Sequence, residues 1–109
     1  MKRVIFTTRS GIIIDFQVFK KDDCWNPVGG VYAFCTLSPN GEHYQVIYVG
    51  KAASFYDRIP NHERWAEARA MGASVVLAAL VAREGDRQKI EQALIADLNP
   101  PLNVHHRLW

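Results

Sequence analysis

Cysteine is scarce in this chain. Only Cys24 and Cys35 occur among 109 residues, too few for a disulfide framework, and Cys24 precedes a strand on which Cys35 sits. Both read as free thiols in a reducing compartment. A strong excess of one charge is also missing: the formal net charge of +2 excludes a strong non-specific polyanion binder, for which a clearly basic domain or stripe is expected. Long apolar runs are absent. Ala73–Ala82, the longest, is half of the roughly 20 residues that a membrane-spanning helix needs, and Thr7-Thr8-Arg9 breaks the apolar core that a signal peptide would have near its start. No repeat or low-complexity tract appears. These absences predict a soluble cytoplasmic protein with no membrane segment.

What is present is enough apolar material for one core. With 49% hydrophobic residues in 109, the chain fits a single compact domain and has no room for a second. Residues 1–28 read as a strand pair and linker, and residues 29–109 as the main part of that same domain. Any target recognition has to come from this domain or from a partner.

The stretch from Gly30 to Gly50 carries the clearest signal. Val31–Leu37 and His43–Val49 are apolar, strand-like runs around Ser38-Pro39-Asn40-Gly41-Glu42. Pro39 suits the first corner of a type I turn and Gly41 the positive φ of the closing bulge, which predicts a hairpin with Pro39-Asn40-Gly41 as its loop. Ser38 then opposes Glu42, Phe34 opposes Val46 and Tyr32 opposes Tyr48, so both phenols share one face. Directly opposed residues bring their Cβ atoms within about 4.5–5.5 Å, close enough for two hydroxyls to reach one small ligand. A four-residue loop would break the alignment, because a one-residue slip moves a side chain to the other face. The competing reading makes Tyr32 and Tyr48 a cross-strand packing pair.

Around this hairpin, β-branched and aromatic residues predict strands over Val4–Thr7 and Ile12–Phe19, joined at Ser10-Gly11 and forming a hairpin at the sheet edge. Lys20-Lys21-Asp22-Asp23 and Trp25-Asn26-Pro27 read as loop. Ser54 is placed to cap a short helical turn ending at Arg58, and Asn61 to cap a second helix over His62–Met71 that stops at Gly72. Ser74–Ala82 reads as a central or third strand buried on both faces. A last helix, with Asp86 as N-cap and Arg87–Leu98 as body, ends at Asn99-Pro100-Pro101.

That last helix holds the most informative side chain. At about 100° per residue, Ile90, Ala93, Leu94, Ile95 and Leu98 form one apolar arc, and Glu91 lies inside it. A carboxylate there is costly unless a cation, a metal or a set of donors faces it. A salt bridge from Glu91 to a nearby arginine satisfies the same requirement as a metal.

Taken together, Gly30-Val31-Tyr32, Tyr48-Val49-Gly50-Lys51, Arg58, His62, Glu91 and Asn103, with the Pro-Pro-Leu-Asn ending, resemble the GIY-YIG nuclease family. The resemblance runs from Gly29 to Asn103. The chain departs from the family pattern in a longer separation of Tyr32 from Tyr48 and in valine as the middle residue of both tripeptides. The resemblance implies an α+β fold, with a small antiparallel three-stranded sheet flanked by helices, to which this chain adds an N-terminal β-hairpin. It also implies hydrolysis of a DNA phosphodiester with one divalent metal, Mg²⁺ or alternatively Mn²⁺.

On that basis Glu91 would bind the metal, one carboxylate sufficing because Mg²⁺ keeps several waters. Tyr32 would be the general base. A phenol has a pKa of about 10, so it needs nearby positive charge or a proton acceptor, and Lys51 and His62 are the candidates. Arg58 would stabilise charge building on the phosphate. Tyr48 would hold the phosphate or the water, and Gly50 and Asn103 would take supporting or substrate-binding places. His105 and His106 lie beyond the motif and take no role. The expected partner is DNA, with a homodimer through the edge of Val4–Phe19 or a separate targeting partner making up for the lack of a DNA-reading domain. Two other classes of function fit the same residues. One is a nucleic-acid-binding or protein-interaction module of this fold that does not cut, and the other is a buried polar network that serves stability alone.

Overall fold

The computed structural model describes residues 2–103; His105 and His106 lie outside them. The chain order is β1 (Arg3–Thr7), β2 (Ile13–Phe19), β3 (Gly30–Leu37), β4 (Tyr44–Ala52), α1 (Phe55–Arg58), α2 (Trp65–Ala70), β5 (Val75–Leu80) and α3 (Glu84–Leu98), then a 3₁₀ turn at Pro101–Asn103. All strands lie in one antiparallel sheet, in the order β1-β2-β5-β3-β4. The expectation of a three-stranded sheet with an added hairpin is therefore corrected to a five-stranded sheet. The reason is a single ladder: Gln17, Val18 and Phe19 of β2 pair with Ala78, Leu77 and Val76 of β5. The N-terminal hairpin thereby continues the sheet and puts β5 at its centre, where continuous burial from Val75 to Ala79 leaves both faces of the valine- and leucine-rich run covered.

Each sheet face has its own core. Tyr32, Phe34, Val76 and Ala78 pack with Trp25, Phe55, Ile59 and Ala68, so the segments of α1 and α2 lie over this face. Phe16, Val31, Ala33, Cys35, Val49 and Leu77 pack with Leu94 of α3 on the opposite face. Gly30 is needed where β3 meets β5, because a Cβ there would stand 1.9 Å from the Ala79 carbonyl oxygen.

The two tyrosines reach their expected shared face by a different register, while Val46, expected opposite Phe34, faces α3 beside Cys35 instead. Ser38 pairs with His43 through Ser38 N donating to His43 O at 2.9 Å, so the loop is Pro39–Glu42 and one residue longer than expected. Leu37, Thr36 and Cys35 accordingly oppose Tyr44, Gln45 and Val46. That slip would put Tyr48 on the wrong face. A bulge between Phe34 and Cys35 absorbs Ile47 and adds a second residue of shift, so Phe34 opposes Tyr48 and Tyr32 opposes Gly50. Two one-residue offsets restore the parity of the strand. Tyr32 and Tyr48 share a face, as expected, but they stand diagonally and not directly opposite.

Two helix starts also move. α2 begins at Trp65 and not at His62, because the Arg64 N–H donates to His62 Nδ1 at 3.0 Å and residues 60–64 form a turn instead. α3 begins at Glu84, ahead of the expected cap Asp86. Arg87 folds back, donating from Nε to the Val81 carbonyl at 2.9 Å and from Nη2 to the Ala82 carbonyl at 2.8 Å, and so ties the strand exit to the first helical turn. Ser54 caps α1 as expected, its hydroxyl accepting from the Asp57 N–H. Among the described residues no helix is long and apolar enough to cross a membrane.

Candidate active site

Tyr32 stands at the middle of β3 with no exposed surface. Its ring lies against Gly50, directly across the ladder, where a Cβ would come within 2.4 Å of both Cζ and Oη. Glycine at this place in the second tripeptide therefore has a steric cause: the phenol occupies the space of a side chain. Tyr48 stands beside it, with ring centroids 6.3 Å apart, and stacks on Phe34 at 5.6 Å.

The Tyr32 hydroxyl lies 2.6 Å from His62 Nε2. His62 Nδ1 accepts the Arg64 N–H, so its lone pair is committed and the ring proton sits on Nε2. The imidazole therefore donates to the phenol oxygen. Burial first, and the charge of Arg58 next, push His62 down to about 4, which leaves the ring neutral at pH 7. Two expectations are corrected by this arrangement. His62 supplies no positive charge, and Nε2, already protonated, cannot take the proton of Tyr32. What it can do is stabilise an oxygen that has lost its proton.

Lys51, the other candidate for activating Tyr32, is ion-paired with Glu84. The cation that acts on Tyr32 is Arg58. Burial, with the neighbouring Tyr48, holds the Tyr32 phenol far above its ordinary range. Tyr48 is also raised, chiefly by burial.

Arg58 reaches the site from the end of α1. Its Nη1 donates to Glu63 Oε1 at 2.6 Å and its Nη2 to Glu63 Oε2 at 2.8 Å, a two-pronged pair. Glu63 is a residue that sequence reasoning missed. The five-residue interval, broken by Pro60, matches no helical spacing that would have signalled it.

Glu91 comes from α3 and is half-buried on the side facing the sheet. Among the described residues it makes no direct hydrogen bond or ion pair; Lys51 and Glu84 act on it through space. Among the described residues, Glu91 forms no salt bridge to an arginine. Burial, as the largest cause, raises its carboxyl above the ordinary glutamate range. A half-buried carboxylate without a direct partner fits a divalent cation, whose charge would offset that burial. Among the described residues no group of three or more His, Cys, Asp or Glu side chains is placed to hold a metal, and a single carboxylate suffices for Mg²⁺, which keeps several waters.

Asn103 secures the far end of the chain. Its Oδ1 accepts from the Val49 N–H at 2.8 Å and its Nδ2 donates to the Val49 carbonyl at 2.9 Å, copying the pairing of a strand on the outer edge of β4. It thus fixes the backbone between Tyr48 and Gly50. A groove of about 440 Å³ on the same sheet face, lined in part by Gln17, Trp25, Asn26 and Leu80, contains none of the expected site residues. Comparison of the chain with protein families, with curated proteins and with solved structures finds no match.

Proposed function

We propose that this chain is a divalent-metal-dependent endonuclease that hydrolyses phosphodiester bonds of DNA. One observation carries the reading: Arg58 and Glu91, from two other elements, both act electrostatically on Tyr32, while Glu91 is left without a direct partner among the described residues. Glu91 would hold Mg²⁺ or Mn²⁺, which supplies Lewis-acid charge to the phosphate when bound. Arg58 would place its guanidinium on the oxygens where negative charge builds. Tyr32 would take the proton of the attacking water as the phenolate, its own proton having passed to bulk water when the site opens, with the Arg58 charge and the His62 Nε2–H stabilising the anionic oxygen until it is reprotonated. Tyr48 would orient the phosphate or the water. Because Tyr32 has no exposed surface, arrival of the phosphate must part the side chains around it.

The test is incubation with a panel of branched, nicked and linear DNA in Mg²⁺ and Mn²⁺. Cleavage is expected, with loss of at least about a hundredfold in Arg58→Ala on the scale of a removed transition-state donor, and loss of activity in Glu91→Ala. Cleavage that persists in folded Glu91→Ala removes the reading. The buried, neutral Tyr32 favours a second reading, a module of this kind that binds nucleic acid without cutting it. Salt-sensitive DNA binding with no turnover in any divalent metal would select it.

A further inference from the structure

We infer that Glu63 is an intramolecular competitor for phosphate, its carboxylate occupying the guanidinium fork of Arg58 so that a phosphate reaches Arg58 only by displacing it. The inference rests on the reading of Arg58 as the phosphate-binding group. Carboxylate and phosphate engage arginine in the same planar, two-pronged way, and here both terminal nitrogens of Arg58 are already spent on Glu63. The carboxylate is delivered by a fixed backbone. Its neighbour His62 is buried against Tyr32, and the next N–H, that of Arg64, donates to His62 Nδ1.

The pair is nevertheless built to open. The Glu63 side chain is 63% exposed and that of Arg58 35%, so the carboxylate can swing into water without breaking the core. An exposed ion pair is weak, which makes Glu63 a competitor and not a seal. The consequence is a uniform competition: the apparent affinity for any phosphate falls by the fraction of Arg58 that Glu63 occupies. With Arg58 beside it, Glu63 is held down at about 2, so the competitor remains charged throughout the neutral range.

The test compares wild type with Glu63→Gln, which keeps the size of the side chain and removes its charge, and with Arg58→Lys as the control. Inorganic phosphate and a short single-stranded oligonucleotide are titrated without metal, with the Arg58 Nε–H resonance followed by NMR. Cleavage is measured separately. Glu63→Gln is expected to bind both probes about fivefold more tightly, the scale of an exposed ion pair, with kcat at or above wild type, and Arg58→Lys is expected to lose the difference. Unchanged or weaker binding in Glu63→Gln, or tighter binding accompanied by a fall in kcat, would overturn the inference and leave Glu63 as a brace for Arg58. A chain that never cuts DNA would defeat the nuclease reading, while the phosphate titration would still decide the role of Glu63.

Discussion

A methyl group on Gly50 would meet the Tyr32 ring at 2.4 Å, and a phenol with no exposed surface has nowhere to retreat. Gly50→Ala is therefore expected to cost about 1–3 kcal/mol, as overpacking of a filled core does, and to lengthen the Tyr32–His62 hydrogen bond. Urea unfolding measures the first effect and the His62 ring resonances the second. His62 itself makes stability depend on pH. Its folded value, about 4, lies below the ordinary 6.5, so the folded chain binds fewer protons than the unfolded one in that window. The contribution is complete above pH 6.5 and is lost as pH falls toward 4, up to about 3 kcal/mol in all. Glu91, whose carboxyl is raised, works in the opposite sense, its contribution fading as pH rises through its folded value. Comparison of wild type with His62→Asn isolates the histidine: the variant should show a flatter stability profile between pH 4.5 and 6.5, and an unchanged slope would place the proton elsewhere.

Between elements, the junction of β4 with α3 determines whether Glu91 stays unpaired. Lys51, at the end of β4, is drawn to Glu84 in the first turn of α3, where Arg87 Nη1 also donates to Glu84 at 3.1 Å. Glu84 thus keeps Lys51 off the Glu91 carboxylate two turns further along the helix. Glu84→Gln should release Lys51 toward Glu91 and weaken Mn²⁺ binding about fivefold, as a partly screened ion pair would, measured by calorimetry. Tighter or unchanged Mn²⁺ binding would mean that Lys51 never competes. The hairpin of β3 and β4 carries the complementary lesson. Its turn chemistry was legible, since Gly41 does adopt φ 74, but the extra loop residue and the bulge at Ile47 were not. The bulge puts Tyr44 and Val46 on the α3 face while Ile47 and Tyr48 stay with Tyr32, and because β4 is apolar at each of these positions the sequence gives no sign of the switch.

Across the whole molecule, the ladder between β2 and β5 turns the N-terminal hairpin from an appendage into structure. Phe16, 3% exposed, shares a core with Leu94 of α3 and Leu77 of β5. Phe16→Ala is accordingly expected to cost about 3–5 kcal/mol and to lower the single unfolding transition of the entire chain. A separate early transition, with the rest unaffected, would show the hairpin to be independent. The type of each helix and strand and the anomaly of Glu91 within an apolar arc follow from the amino-acid order alone, because strand and helix periods are properties of neighbouring residues. Tertiary structure alone decided which strands pair, that Arg58 meets Glu63 and Lys51 meets Glu84, and which nitrogen of His62 holds the proton. Periodicity says which way a side chain points and nothing about what stands opposite it; the opposing group is set only when segments far apart in the chain close the sheet and its helices around a shared core.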